Sequence, residues 1–173
     1  MAILFFLMRR VILSVCLFCW ASFLSAQFEI SSYSTVHIAC SSSEEQIVFT
    51  ALDLLERDLA NVLSCTAVRN RQDGEIIIGT IGKNGQLEID SSLLVGRHEA
   101  FVLKVLDNGK LMIVGSDAHG TAYGIIELTR LLGVSPWEWW ADVTPVQKDS
   151  FVLQKKIRFV SGTISSLQRY FHQ

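Results

Sequence analysis

Between Asp117 and Gly133 the chain carries a helix signal that lacks side chains at two places on one face. Asp117 is a good N-terminal cap, and Tyr123, Ile125, Ile126, Leu128, Leu131 and Leu132 supply the apolar positions. Gly133 ends the pattern and Pro136 forbids its continuation. Gly120 and Gly124 lie four residues apart, one turn above the other. Each glycine costs a helix about 1 kcal/mol relative to alanine. A backbone that approaches a sheet or a neighbouring segment closely at these two positions offsets that cost, so the helix is expected to pack in close contact.

Upstream, a second amphipathic helix is expected from Ser41 to near Ser64, about five turns. Ser42 and Glu45 form a capping-box spacing, with Glu44 and Glu45 at the positive end of the helix. Ile47, Val48, Ala51, Leu54, Leu55, Leu59 and Val62 recur every three or four residues. Asp53, Glu56, Arg57 and Asp58 read as the solvated face. Thr66 to Val68 and Glu75 to Thr80 read as a pair of strands around an Asp73-Gly74 loop, with Ile76-Ile77-Ile78 buried. Glu99 to Leu106 and Lys110 to Val114 flank Asp107-Asn108-Gly109, a tight hairpin turn. A strand, a helix, several mostly hairpin-linked strands and a second helix predict an α+β fold: a mixed or antiparallel sheet with helices packed on one face.

The start of the chain has the layout of a secretory signal peptide. Arg9 and Arg10 precede an apolar run from Val11 to Leu24, and Ala26 is the small residue before the expected cleavage at Gln27. A retained membrane anchor is the competing reading, because Met1 to Leu7 is apolar too, but the two arginines interrupt it. Cleavage places the product in the secreted or periplasmic space with no membrane association. It also removes two basic residues from the 15 in the chain, leaving 13 against 17 acidic, a net charge of −4. Such a balance offers no basic patch for nucleic acid. Cys40 and Cys65 survive processing; they can form one disulfide or remain two buried thiols.

Few residues suggest chemistry. The Gly115-to-Gly120 turn sits at a helix N-terminus, where backbone N–H groups favour anions, but it lacks the lysine and hydroxyl residue of a phosphate-binding loop. His37, His98, His119 and His172 have no metal-ligand spacing, so no metal or other cofactor is expected. His119, beside the glycine turn, reads as a capping or surface residue. No GxSxG elbow occurs. Glu138 and Asp142 flank three tryptophans and are given structural roles, since four residues of separation do not make a glycosidase pair. Trp137, Trp139 and Trp140 are candidate substrate-binding residues because indoles stack on pyranose faces; a hydrophobic plug beneath a neighbouring domain is the alternative.

The residues Val114-Gly115-Ser116-Asp117, Gly120-Thr121-Ala122-Tyr123-Gly124 and above all Gly133 to Val143, GVSPWEWWADV, resemble the N-terminal domain of glycoside hydrolase family 115, the xylan α-1,2-glucuronidases. The resemblance spans residues 28 to about 160 and implies an accessory α+β domain like those of β-hexosaminidases and α-glucuronidases. It further implies an enzyme that, when complete, removes glucuronic acid or its 4-O-methyl form from xylan or glucuronoxylan by an inverting mechanism. In the family the catalytic acid and base lie in a following (β/α)8 barrel, so no catalytic residue is expected in these 173 positions and the missing barrel is the implied partner. A free-standing carbohydrate-binding or domain-contact module is the alternative. Together these readings divide the chain into a signal peptide at 1–26, a domain at 27–162 and a tail at 163–173. Codons for Leu167-Gln168-Arg169-Tyr170-Phe171-His172-Gln173, read one nucleotide over, can encode the family's YRGIFIN motif, so the tail is expected to be out of frame. Resequencing the locus checks this: barrel-coding sequence is expected in another frame, and a natural stop after Gln173 with none downstream contradicts it.

Overall fold

The computed structural model describes residues 27–70, 73–83, 91–135, 143–154 and 157–160. The expected signal peptide and the tail at 163–173 lie outside them. The chain forms β1 (Gln27–Ser31), β2 (Thr35–Cys40), α1 (Gln46–Leu63), β3 (Thr66–Asn70) and β4 (Ile76–Thr80). A 3₁₀ turn at Ser91–Leu93 precedes β5 (Phe101–Val105), β6 (Leu111–Gly115), α2 (Ala118–Leu132), β7 (Ser150–Gln154) and β8 (Ile157–Val160). Six strands make one sheet in the order β3-β2-β4-β6-β5-β8, while β1 and β7 form a separate antiparallel ribbon. The sheet is mixed, with both helices on one face, as the sequence predicts.

Its pairing differs from the expected run of hairpins. β3 and β4 are not partners: each lies parallel to β2, on opposite sides of it. Parallel neighbours ordinarily need a crossover of a dozen or more residues. Here stagger shortens the path, because β3 ends where Asn70 pairs with Ala39 and β4 begins where Ile76 pairs with Ile38. The link crosses β2 at Gly74, where a Cβ would overlap the carbonyl of His37 and lie 2.8 Å from the Ala39 nitrogen. Glu75 anchors the crossing by accepting from the His37 N–H at 2.6 Å. The expected Asp107-Asn108-Gly109 hairpin does form between β5 and β6, with Gly109 at φ 79°.

Alternation along the strands separates two cores. Ile38, Ile76, Ile78, Leu103, Leu111 and Ile113 face the helices, together with Leu52, Leu55 and Leu59 of α1 and Ile125, Leu128 and Leu132 of α2. Met112, Val114, Val102, Ala100 and Leu94 form a smaller cluster on the opposite side. This is the period of two expected for a sheet buried on both faces.

Helix α1 ends as expected, with Ser64 in the left-handed conformation closing onto Ala60. Its start differs. Glu45 is the cap position and makes no side-chain cap bond, while the Ser41 hydroxyl accepts from the Ser43 N–H and Glu44 turns inward. Asp58 is also not solvated: it is 2% exposed and accepts two bonds from Arg57, at 3.1 and 2.8 Å. Asp53 and Glu56 remain on the outer face, where both pair with Arg69 of β3 and tie the edge strand to the helix.

Helix α2 follows its sequence closely. Asp117 accepts from the Gly120 N–H at 2.8 Å, and Gly133 closes the helix at φ 100°. A Cβ on Gly120 would penetrate the Ala100 carbonyl, and one on Gly124 would meet Ile113 at 2.5 Å and Phe101 at 3.3 Å. Lys148 then laces the two helix ends together, its N–H donating to Val62 O at 2.8 Å and its Nζ to Leu132 O at 2.6 Å. Tyr123 and Ile126 are left exposed on the far side of α2.

The close contact reverses the sign of an ordinary helix substitution. In an open helix Gly→Ala gains about 1 kcal/mol. Gly120→Ala and Gly124→Ala are expected instead to lose roughly 1–3 kcal/mol through overpacking. The exposed Tyr123→Ala should stay within about 0.5 kcal/mol of wild type. Urea denaturation of the three variants checks this, and a stabilised Gly120→Ala contradicts the packing.

Candidate functional site

Open sheets with parallel strands bind ligands at the carboxyl ends, where successive connections leave in opposite directions. In this sheet that point lies between β2, whose connection through α1 leads to β3 on one side, and β4, which leads to the strands on the other. Cys40 and Thr80 end the two strands there. The side chain that fills the position is Glu44, from the β2–α1 loop, only 6% exposed.

Both Glu44 oxygens are satisfied. Oε1 accepts from the Thr80 N–H at 2.9 Å and Oε2 from the Thr80 hydroxyl at 2.7 Å. The Thr80 and Thr121 hydroxyl oxygens lie 2.8 Å apart, and Thr121 is also within reach of the carbonyls of Asp117 (3.1 Å) and Gly79 (3.3 Å). Since Thr80 gives its proton to the carboxylate, it can only accept from Thr121. Burying a carboxylate is costly unless such charge-assisted bonds compensate. The cluster therefore joins the β2–α1 loop, β4 and α2 through one internal anion, and it presents no free nucleophile or base.

Sequence reasoning missed this cluster, having assigned Glu44 to the helix macrodipole. A signal was available: Thr121 falls on the same α2 stripe as Ile125, Leu128 and Leu132, where a fully buried hydroxyl must find a partner.

The Gly115-to-Gly120 turn is a clamp. Ser116 N–H donates to Ala100 O at 2.8 Å, Ala100 N–H returns to Ser116 Oγ at 3.0 Å, and Glu99 N–H donates to Asp117 Oδ2 at 2.7 Å. A Cβ on Gly115 would overlap the Thr121 nitrogen, so the turn packs directly against the first turn of α2. Burial pushes the Asp117 carboxyl upward, but the N–H donors of Glu99 and Gly120 outweigh it and hold the group below its ordinary range. A fixed anion at this helix terminus opposes phosphate. His119 sits exposed in the first turn of α2, in keeping with a surface role. Among the described residues no group of three His, Cys, Asp or Glu side chains can hold a metal.

Cys40 and Cys65 are free and buried, the second of the two alternatives open to them. The register pairs Thr35 with Thr66, which puts Cys65 at the start of β2 and Cys40 at its end. Six strand residues span about 20 Å. Disulfide geometry allows less than about 7 Å between Cα atoms, so no bridge joins them. Trp137, Glu138, Trp139, Trp140 and Asp142 lie outside the described residues, between Ser135 and Val143. His172 lies outside them too.

Two measurements probe the cluster. Glu44→Ala leaves the Thr80 donors without their acceptor and is expected to cost roughly 2–4 kcal/mol, with Glu44→Gln costing less. A Glu44→Ala/Thr80→Val double-mutant cycle should then return a coupling of about 1 kcal/mol or more, and strict additivity contradicts the pairing. Burial, reinforced by the Glu44 charge, pushes the Cys40 thiol from 9.0 up to about 11. A raised thiol binds its proton longer in the folded than in the unfolded chain, so the stability it contributes is complete below pH 9 and falls between 9 and 11. Denaturation of wild type and Cys40→Ala across that window should show a steeper decline in wild type, by up to about 2 kcal/mol.

No family model and no curated protein matches the chain. Solved structures do. A family GH115 4-O-methyl-α-glucuronidase with specificity for decorated arabinogalactans shares 54% identity over 78% of this chain, with a TM-score of 0.75. The chain spans 18% of the length of that enzyme. The protein CpGH84D matches over 77% of this chain and 21% of its own, at 12% identity and TM-score 0.52. A Streptomyces plicatus β-hexosaminidase mutant in complex with GlcNAc matches over 77% and 23%, at 16% identity and TM-score 0.50. These last two share the fold alone. The identity to the glucuronidase reaches much further, and it assigns this chain to glycoside hydrolase family 115, as an N-terminal domain of that family.

Proposed function

We propose that the chain is the non-catalytic N-terminal part of a secreted or periplasmic glycoside hydrolase that releases glucuronic acid or its 4-O-methyl form from polysaccharide side chains. The 54% identity to a 4-O-methyl-α-glucuronidase carries this reading. Xylan or glucuronoxylan is the proposed substrate of the complete enzyme. Decorated arabinogalactan, the specificity of the related structure, is the second polymer to compare.

The non-catalytic role rests on the chemistry of the carboxylates. Glycoside hydrolysis requires two carboxyl groups facing one bond, usually about 5–9.5 Å apart with room for a sugar between them. The two buried carboxylates among the described residues, Glu44 and Asp58, are each engaged by internal donors. Asp53, Glu56, Glu45, Asp73 and Glu127 are ion-paired on the surface. In this reading the acid and base belong to a C-terminal barrel, as the family resemblance implies, and Trp137, Trp139 and Trp140, outside the described residues, are its proposed contact.

The purified 173-residue chain should release no glucuronic acid or 4-O-methylglucuronic acid from glucuronoxylan or decorated arabinogalactan. Release at a rate that scales with protein and survives repurification contradicts the proposal. Titrating tryptophan fluorescence with glucuronoxylan oligosaccharides tests the other role of the three indoles: a saturable change identifies a carbohydrate-binding module, and a flat response favours the domain contact.

A further inference from the structure

We propose that Gln27 is a modification site, becoming an N-terminal pyroglutamate once the leader is removed; this rests on the processing part of the preceding reading. Cleavage after Ala26 makes Gln27 the first residue, and Gln27 is also the first residue of β1. Its side chain is exposed and bonded only weakly, Nε2 donating to Glu29 Oε2 at 3.4 Å. The next residue is not free to move. Phe28 is 1% exposed, and Ile30, two further on, is 4% exposed; both belong to the main core.

An N-terminal glutamine places its α-nitrogen and its Cδ in one five-membered ring. With a pKa near 7.7–8.0 for an α-amine, a neutral amine is well populated at pH 8. It attacks Cδ, the new N–Cδ bond forms, the Cδ–Nε2 bond breaks, and Nε2 leaves as ammonia with the proton given up by the amine. The reaction consumes no oxidant or water. The lactam retains one N–H and the carbonyl of Gln27, so the pairing of Gln27 with Gln154 and the approach of its carbonyl to Gly109 both persist. What disappears is a cation one residue from a buried phenylalanine, and with it the free amine that an aminopeptidase needs. Trimming by that route would next remove Phe28 from the core.

The test is the intact mass and N-terminal peptide of the full chain, expressed with its own leader in a secreting host and incubated at pH 8. The expected product begins at Gln27 and is lighter than the unmodified chain from Gln27 onward by one ammonia, while the Gln27→Asn variant, for which the ring would have four members, keeps the full mass of its processed chain. A wild-type product that begins at Gln27 and retains the full mass after prolonged incubation overturns the modification and leaves the processing reading standing. A different N-terminus overturns both, without bearing on the assignment to the glycosidase family.

Discussion

The contact between the backbone of α2 and the sheet is the constraint from which the rest of the structure follows. Gly120 rests on the Ala100 carbonyl and Gly124 on Ile113 and Phe101, with no side chain interposed. At that distance the Thr121 hydroxyl reaches Thr80, and Thr80 in turn supplies both donors to Glu44. Were the helix held off by even one methyl group, the threonine pair would part and a buried carboxylate would lose its support. Close packing and polar satisfaction are thus one condition here, met by two residues that have nothing to contribute except their lack of volume.

Features specified by adjacent residues were legible in the sequence. The cap at Asp117, the stop at Gly133, the left-handed Gly109 turn and the apolar stripe of α1 each depend on a few neighbours in the chain, and each is present. Partners chosen across distance were not legible. Nothing local in Thr66–Asn70 or Ile76–Thr80 distinguishes a hairpin from two strands on either side of β2; the difference lies in the stagger and in Gly74 fitting against His37. Ser42 and Glu45 had the spacing of a capping box, yet Glu44 was drawn into the sheet by two donors more than thirty positions away, a pull no local motif records. The site most readable as a motif, the tryptophan segment, bears on family rather than on any geometry described.

The sealed crevice also separates fold from function. Where parallel strands diverge, other sheets of this kind hold a ligand. This domain has placed its own carboxylate there, and the interior so completed links three elements through hydrogen bonds. Such a fully satisfied polar network holds the three elements in one fixed arrangement.

The ribbon of β1 and β7 sets an order of events. Phe28 and Ile30 complete the main core, but their strand has one partner, and that partner begins at Ser150, near the far end of the domain. During synthesis β1 therefore waits for nearly the whole domain before it finds its partner, because the entropy of closing so long a loop must be met before its hydrogen bonds form. Until Leu153 has emerged opposite Phe28, the chain carries an unpaired apolar strand at its head. The interval in which that strand stays open is set by how soon the other end of the domain is made, rather than by the stability of the finished fold.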